Sequence, residues 1–247
     1  MTFKDHFSAH AREYAVARPD YPAALYADLA RQLADSQLAW DCATGNGQAA
    51  RQLARIVDRV IASDASSEQI AAATGPENVE FRVFAAEQPQ IEANSLDLVT
   101  VAQALHWFNL DAFFTALDTV LKPGGLLAVW SYGQCSVDVE TDQHVYRLYT
   151  EILGDSWWPP ERRLVETGYQ GINFPYRRLN MPSHELRQQW SREQFLAYLR
   201  SWSASQRYLQ AKGCDPVSLI EPDIVQAWES GLKKTLVWPL TLIVCRK

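Results

Sequence analysis

With 247 residues, 47% of them hydrophobic and 11% aromatic, the chain has enough apolar material for one α/β domain carrying an insertion, and too much to stay disordered. A net charge of −6 argues against nucleic acid as the main partner, because phosphates call for a basic surface. The four cysteines have no metal-ligand spacing, no apolar run approaches the roughly 20 residues that cross a bilayer, and the N-terminus lacks the basic and apolar regions of a signal peptide. A cytoplasmic protein with no membrane span, disulfide or metal is therefore expected.

In chain order, residues 3–21 carry Phe3, Phe7 and Tyr14 and end in Ala17-Arg18-Pro19-Asp20-Tyr21-Pro22, whose prolines mark a turn. This stretch reads either as a helical arm packed on a sheet or as cover for a site, with Tyr14, Arg18 and Tyr21 facing a substrate. Leu25, Leu29 and Leu33 follow at i, i+4 and i+8 and predict a helix with one buried face. Leu38 to Cys42 reads as a buried strand with Asp41 at its end. Ala43, Gly45 and Gly47 then form a turn with almost no side-chain bulk, ahead of a helix predicted over 48–57. A strand, a small-residue turn and a helix start bring bare N–H groups close to a ligand.

A second strand, Arg59 to Ser63, closes on Asp64, which follows Asp41 by 23 positions. That is about the spacing of a ribose-binding carboxylate in a nucleotide-binding βαβ unit. Ser66 and Gln69 have capping-box spacing for the next helix. Third and fourth strands are predicted at Val79–Phe84 and Leu96–Val101. The third ends in Ala85-Ala86-Glu87 and the fourth runs into Gln103-Ala104-Leu105-His106-Trp107-Phe108. A helix capped by Asn109 or Asp111, a tight turn at Lys122–Gly125 and a fifth strand, Leu126 to Trp130, complete a run of alternating strands and helices. This alternation predicts a doubly wound parallel sheet.

Beyond Gly133 the pattern turns mostly helical over 138–232, interrupted at Trp157-Trp-Pro-Pro160, Asn173-Phe-Pro-Tyr176 and Met181-Pro182, with one helix expected through Phe195, Leu199, Trp202 and Tyr208. Between Trp158 and Lys212 there are nine Lys/Arg against four Glu, a surplus of five positive charges that leaves −11 on the rest of the chain. If part of this charge lines a pocket, it favours a small anionic substrate. Thr235 to Cys245 alternates as a closing strand, and Pro239 suggests an edge or a bulge.

Together, Asp41-Cys-Ala-Thr-Gly-Asn-Gly47, Asp64, Ala85-Ala-Glu87 and Leu121-Lys-Pro-Gly-Gly-Leu126 resemble, in order and spacing, the class I S-adenosylmethionine (SAM) methyltransferases of the type 11 group. Gln103–Phe108, Arg18–Pro22 and Ser201-Trp-Ser203 are similar to the branch containing fungal trans-aconitate methyltransferase-like enzymes. The resemblance implies a seven-stranded, mostly parallel Rossmann-like sheet with an antiparallel closing edge strand. It also implies a SAM-binding core over 1–133, a mostly helical substrate lid over 134–234 and the closing strand of the core over 235–247.

For the cofactor, the resemblance implies contacts from Asp41, Ala43, Thr44, Gly45, Gly47 and Gln48, from Asp64, Ala65 and Gln69, from Ala86 and Glu87, and from Gln103, Ala104 and His106. Ala43 departs from the usual glycine and is expected to have a negative φ. For the substrate, Tyr14, Arg18, Tyr21, Trp107, Trp130, Trp202 and Arg207 are expected. The reaction expected is O-methylation of a small carboxylic acid, oriented by a cation from among Arg18, Arg162, Arg163 and Arg207. The rival readings are methylation of a hydroxyl or amine with His106 as general base, and a SAM-binding regulatory or scaffold protein.

Overall fold

Residues 19–247 are described by the structure, a computed structural model; Tyr14 and Arg18 lie outside the described residues. The first helix, α1 (Ala23–Gln32), buries Leu25 and Leu29 as their spacing predicts. Then come β1 (Leu38–Cys42), α2 (Gln48–Leu53), β2 (Arg59–Asp64), α3 (Ser67–Ala72), β3 (Val79–Val83), β4 (Leu96–Ala102), α4 (Leu110–Val120) and β5 (Leu121–Tyr132). The helix α2 is shorter than expected and passes into turns before Val57. Asn109, one of the two expected caps, accepts the Ala112 N–H and starts α4.

The sheet order is β3-β2-β1-β4-β5, all parallel, followed by the reversed strand β8 (Lys233–Arg246). Side chains alternate across it. Leu126, Ala128 and Trp130 pack on one face with α1 and α2, and Leu127 and Val129 on the other with α4. Both faces of the sheet are covered, which is why its strands read as nearly continuous apolar runs. The Lys122–Gly125 turn is present as a bulge inside β5, where the pairing jumps from Leu96↔Leu121 to Leu98↔Leu126. Asp97 locks this end of the sheet, accepting the N–H groups of Gln37 and Leu38 and the Lys122 ammonium at 2.6 Å.

The C-terminal third carries α5 (Val139–Arg147), α6 (Gly154–Trp157) and α7 (Arg162–Glu166), and it departs from expectation in two places. Two strands not predicted from the sequence lie among its helices: β6 (Arg177–Arg178) and β7 (His184–Ser191) pair with the outer side of β8. The sheet therefore has eight strands where seven were expected, and the closing strand is flanked on both sides. The β7 sequence, His-Glu-Leu-Arg-Gln-Gln-Trp-Ser, buries only Leu186 fully; an outermost strand that is polar on its open face carries little apolar signal. The single helix expected through Tyr208 is two, α8 (Arg192–Arg200) and α9 (Ser203–Lys212), broken where Trp202 adopts an extended backbone. The capping box of Ser191 and Gln194 starts α8 as its spacing predicts.

Candidate active site

Strand order reverses between β1 and β4, and the crevice beyond their C-terminal ends is where open α/β sheets take ligands. The turn after β1 alternates left-handed residues: Ala43 has φ +56°, Gly45 +56° and Gly47 +85°. Within the turn the N–H groups of Thr44, Gly45 and Gly47 are taken by Ser63 O, Asp64 Oδ2 and Thr44 O, which fixes its shape. Glycine is required at position 47, since a Cβ there would sit 2.9 Å from the Phe81 ring. Above Gly45 the space is open, and Gln69 Oε1, at 3.8 Å, is the one neighbour a Cβ would meet among the described residues.

The negative φ expected at Ala43 is wrong. An alanine held in the left-handed region costs about 1–2 kcal/mol, so the surrounding pairing holds this backbone against its preference. Across the crevice Gln103, just after β4, also has φ +56° and is fixed by its N–H on Trp130 O and its Nε2 on Tyr132 O. Two strained non-glycine residues thus face each other at the point where strand order reverses.

The two aspartates differ sharply. Asp64 is half-buried; its Oδ2 accepts the Gly45 N–H at 3.0 Å and its Oδ1 the Ser66 N–H at 2.9 Å, which aims the carboxylate at the mouth of the turn. Asp41 is fully buried and accepts the hydroxyls of Thr44 at 2.5 Å and Thr100 at 2.8 Å. Burial pushes its carboxyl up to about 6, with Asp64 adding in the same direction against the two hydroxyls. Asp41 therefore shapes the turn from behind it, rather than from its surface.

Around this pair, Ala65 follows Asp64, and Gln69 is buried with its N–H on the Ser66 hydroxyl. Ala86 is buried, and Glu87 accepts the Asn109 N–H at 2.9 Å. Gln48 Nε2 donates to Pro19 O and Asp20 Oδ1, tying down the segment ahead of α1.

Beyond β4 and β5 lies a chamber of about 70 Å³. Gln103, His106, Trp107 and Tyr132 form its floor, and Trp158, Arg162, Tyr198 and Trp202 its roof. Of the substrate residues expected from the sequence, it therefore gathers Trp107 and Trp202. Two others lie elsewhere. Trp130 is fully buried beneath Tyr21 and Tyr26, its ring edge-on to both, and Arg207 on α9 is not on the chamber wall. Tyr21 reaches the chamber indirectly, its ring 6.4 Å from that of Tyr132.

The cation in the chamber is Arg162, stacked over Trp158 at 5.2 Å and tethered by its Nε to the Tyr149 hydroxyl at 3.3 Å. Its terminal guanidinium nitrogens have no hydrogen-bond partner among the described residues. Nearby, the buried Nε2 of Gln134 also lacks one among the described residues. Tyr132, Gln134 and Tyr198 carry no sequence signal for this role, and Trp157-Trp-Pro-Pro160 reads only as an interruption of helix.

Among the described residues no group of acidic, histidine and cysteine side chains could hold a metal ion, and no helix is long and apolar enough to cross a membrane.

Residues 40–129 match the family model described as a methyltransferase domain. A protein of Dictyostelium discoideum named as a methyltransferase is 32% identical over 92% of this chain and 88% of its own. A structure named as that of a type II methyltransferase from Anaeromyxobacter dehalogenans is 37% identical, covers 93% of this chain and 97% of its own, and superposes with a TM-score of 0.87. A phosphoethanolamine N-methyltransferase of Haemonchus contortus, solved with S-adenosylhomocysteine, spans all of this chain and 60% of its own at 18% identity and a TM-score of 0.51, a likeness of fold alone.

Proposed function

The chain belongs to the class I SAM-dependent methyltransferases, and on that premise we propose that it methylates the carboxylate of a small organic acid. The turn fits the cofactor. The space above Gly45 is left clear, and Asp64 stands at its mouth with a carboxylate suited to two ribose hydroxyls. On this reading Ala43, Thr44, Gly45 and Gly47 border the methionine part, while Asp41 keeps their turn in shape. Ala65, Gln69, Ala86 and Glu87 surround the adenosine, and Gln103 and Ala104 close the far side. SAM, when bound, supplies an electrophilic methyl group on a positively charged sulfur.

The segment 134–234 is proposed as the lid over the acceptor. The single observation that carries the acid reading is Arg162, a guanidinium lying over the adjoining Trp158 and Tyr149 rings. It is held through its Nε by the Tyr149 hydroxyl and, at 3.9 Å, the Glu166 carboxylate, with its outer nitrogens unengaged among the described residues. The chamber around it is lined by aromatic rings together with Gln103, His106 and Gln134. A carboxylate is already ionised at neutral pH and needs no base; it needs a fixed cation and exclusion of water. Arg162 provides the first, and Trp107, Trp158, Tyr198 and Trp202 the second. Holding two reacting atoms in line is worth about 7–11 kcal/mol in such a reaction.

Incubation with SAM and a panel of small carboxylic acids, phenols and amines tests this. We expect methyl esters from one or more acids, and a KM raised roughly 10- to 100-fold by Arg162→Ala, the loss of a charge-assisted pair. Turnover of phenols or amines with none of the acids would overturn it.

A further inference from the structure

We propose that Tyr169 holds His106 in the tautomer that carries its proton on Nε2, so that the imidazole presents a hydrogen-bond donor to the methyl acceptor rather than a base. The acceptor half of this inference rests on the carboxylate reading above; the tautomer half does not.

Tyr169 comes from the lid, 63 residues beyond its partner, and reaches His106 through an unusual piece of chain. After the short helix Arg162–Glu166, Gly168 at φ +61° and Tyr169 at φ +60° are two consecutive left-handed residues, and the Tyr169 N–H closes on Leu164 O at 2.7 Å. This reversal costs a tyrosine backbone strain, and it buries the ring and sets the phenol oxygen 3.2 Å from His106 Nδ1. The two rings lie 27° from parallel with centroids 6.4 Å apart, and the Trp107 ring also packs against His106, centroid to centroid at 4.8 Å.

Either atom of the Tyr169–His106 contact could donate, but the chemistry is not symmetric. A phenol hydroxyl is a better donor than an imidazole N–H, and an imidazole nitrogen is a better acceptor than a phenol oxygen. Burial also pushes the Tyr169 hydroxyl up to about 12, against a smaller opposing pull from the Ser131 hydroxyl, so it keeps its proton to give. With Nδ1 accepting, the neutral ring carries its proton on Nε2. A ring in that state has no lone pair to offer a hydroxyl or amine. It offers an N–H instead, which suits an oxygen of an acceptor that arrives ionised. Tyr169 is thus a positioning residue: it acts on the acceptor only through His106.

Nitrogen-15 NMR of the histidine side chains, recorded at neutral pH with S-adenosylhomocysteine and no acceptor, reads the tautomer directly and does not depend on which acceptor is correct. We expect His106 protonated on Nε2 in the wild type and a mixture of tautomers in Tyr169→Phe. Tyr169→Phe should also raise KM for a carboxylic acid roughly three- to tenfold, the loss of one neutral hydrogen bond. Glutamine places an N–H near the Nε2 position and asparagine near Nδ1, so His106→Gln should retain more kcat/KM than His106→Asn. A wild-type ring protonated on Nδ1, or a His106→Gln enzyme no better than His106→Asn, would overturn the proposal. If the Nε2 tautomer is found and no acid is a substrate, the carboxylate reading fails and the tautomer assignment stands.

Discussion

The two halves of the crevice are built by opposite means. The half over β1 and β2 is local: Asp41, the turn from Ala43 to Gly47, and Asp64 fall within 24 consecutive residues, and the left-handed backbone at Ala43, Gly45 and Gly47 sets its shape. The half over β4 and β5 is assembled from afar, with Tyr169, Tyr198 and Trp202 brought to His106 and Tyr132 by the packing of the C-terminal third on the sheet. A backbone-built site tolerates little change in sequence, because its shape depends on glycine and on strand register. A side-chain-built site can be respecified one residue at a time. The first half is suited to a cofactor common to a whole family, and the second to an acceptor that differs from member to member.

Trp130 tests where the second half ends. It lies at the end of β5, yet it is core, so Trp130→Ala should cost about 3–5 kcal/mol of stability while leaving KM for the acceptor within a factor of about two for the enzyme that remains folded. Denaturant titration and steady-state kinetics on the same sample measure both. A large selective change in KM with little loss of stability would move Trp130 into the chamber.

Asp41 tests the first half. Burial raises its carboxyl in the folded protein from an ordinary 3.8 to about 6, so the folded state holds the proton more tightly than the unfolded one. Between about pH 4 and 6 this group's contribution falls as pH rises, and above 6 the full burial penalty is present. A shift of about two units corresponds to about 3 kcal/mol. Asp41→Asn should therefore be more stable than the wild type at pH 8, by up to about that amount, with the two converging near pH 4. The same variant should bind SAM more weakly if the turn depends on the charge as well as the shape. Parallel pH–stability curves for the two proteins would contradict the burial argument.

Ala43 gives the smallest expected effect. Ala43→Gly removes the strain of a left-handed alanine but adds freedom to the unfolded chain, and the two nearly cancel. A stability change within about 1 kcal/mol of zero is expected, with cofactor affinity kept or slightly improved. Thermal unfolding with and without S-adenosylhomocysteine measures both, and a loss of more than about 2 kcal/mol would show that the methyl group packs against something essential.

What the sequence reveals follows the same division. The parallel sheet, the turn and Asp64 are legible in it because strand, small residues and acid are adjacent and their order is itself the signal. Asp41 is legible as a position but not as a role, since nothing in the sequence says that Thr44 and Thr100 close over its carboxylate. The sign of φ at Ala43 is misread because alanine ordinarily avoids the left-handed region, and strand pairing overrides that preference. In the acceptor half, Arg162 can be named from sequence only as one of several arginines. What singles it out is Trp158 beneath it and Tyr149 beside it, contacts within one stretch of chain that form only because the turn at Pro159-Pro160 folds it back. The strand β7 escapes notice because only one of its residues is fully buried.

The division of labour is tested most directly by calorimetric titration of S-adenosylhomocysteine into three proteins: the wild type, Asp64→Ala and Arg162→Ala. A cofactor held over β1 and β2 predicts binding to the wild type, a loss of roughly 10- to 100-fold in Asp64→Ala from the missing charge-assisted hydrogen bonds, and affinity in Arg162→Ala equal to the wild type. Undiminished binding by Asp64→Ala, or a loss confined to Arg162→Ala, would put the cofactor in the other half of the crevice and contradict it.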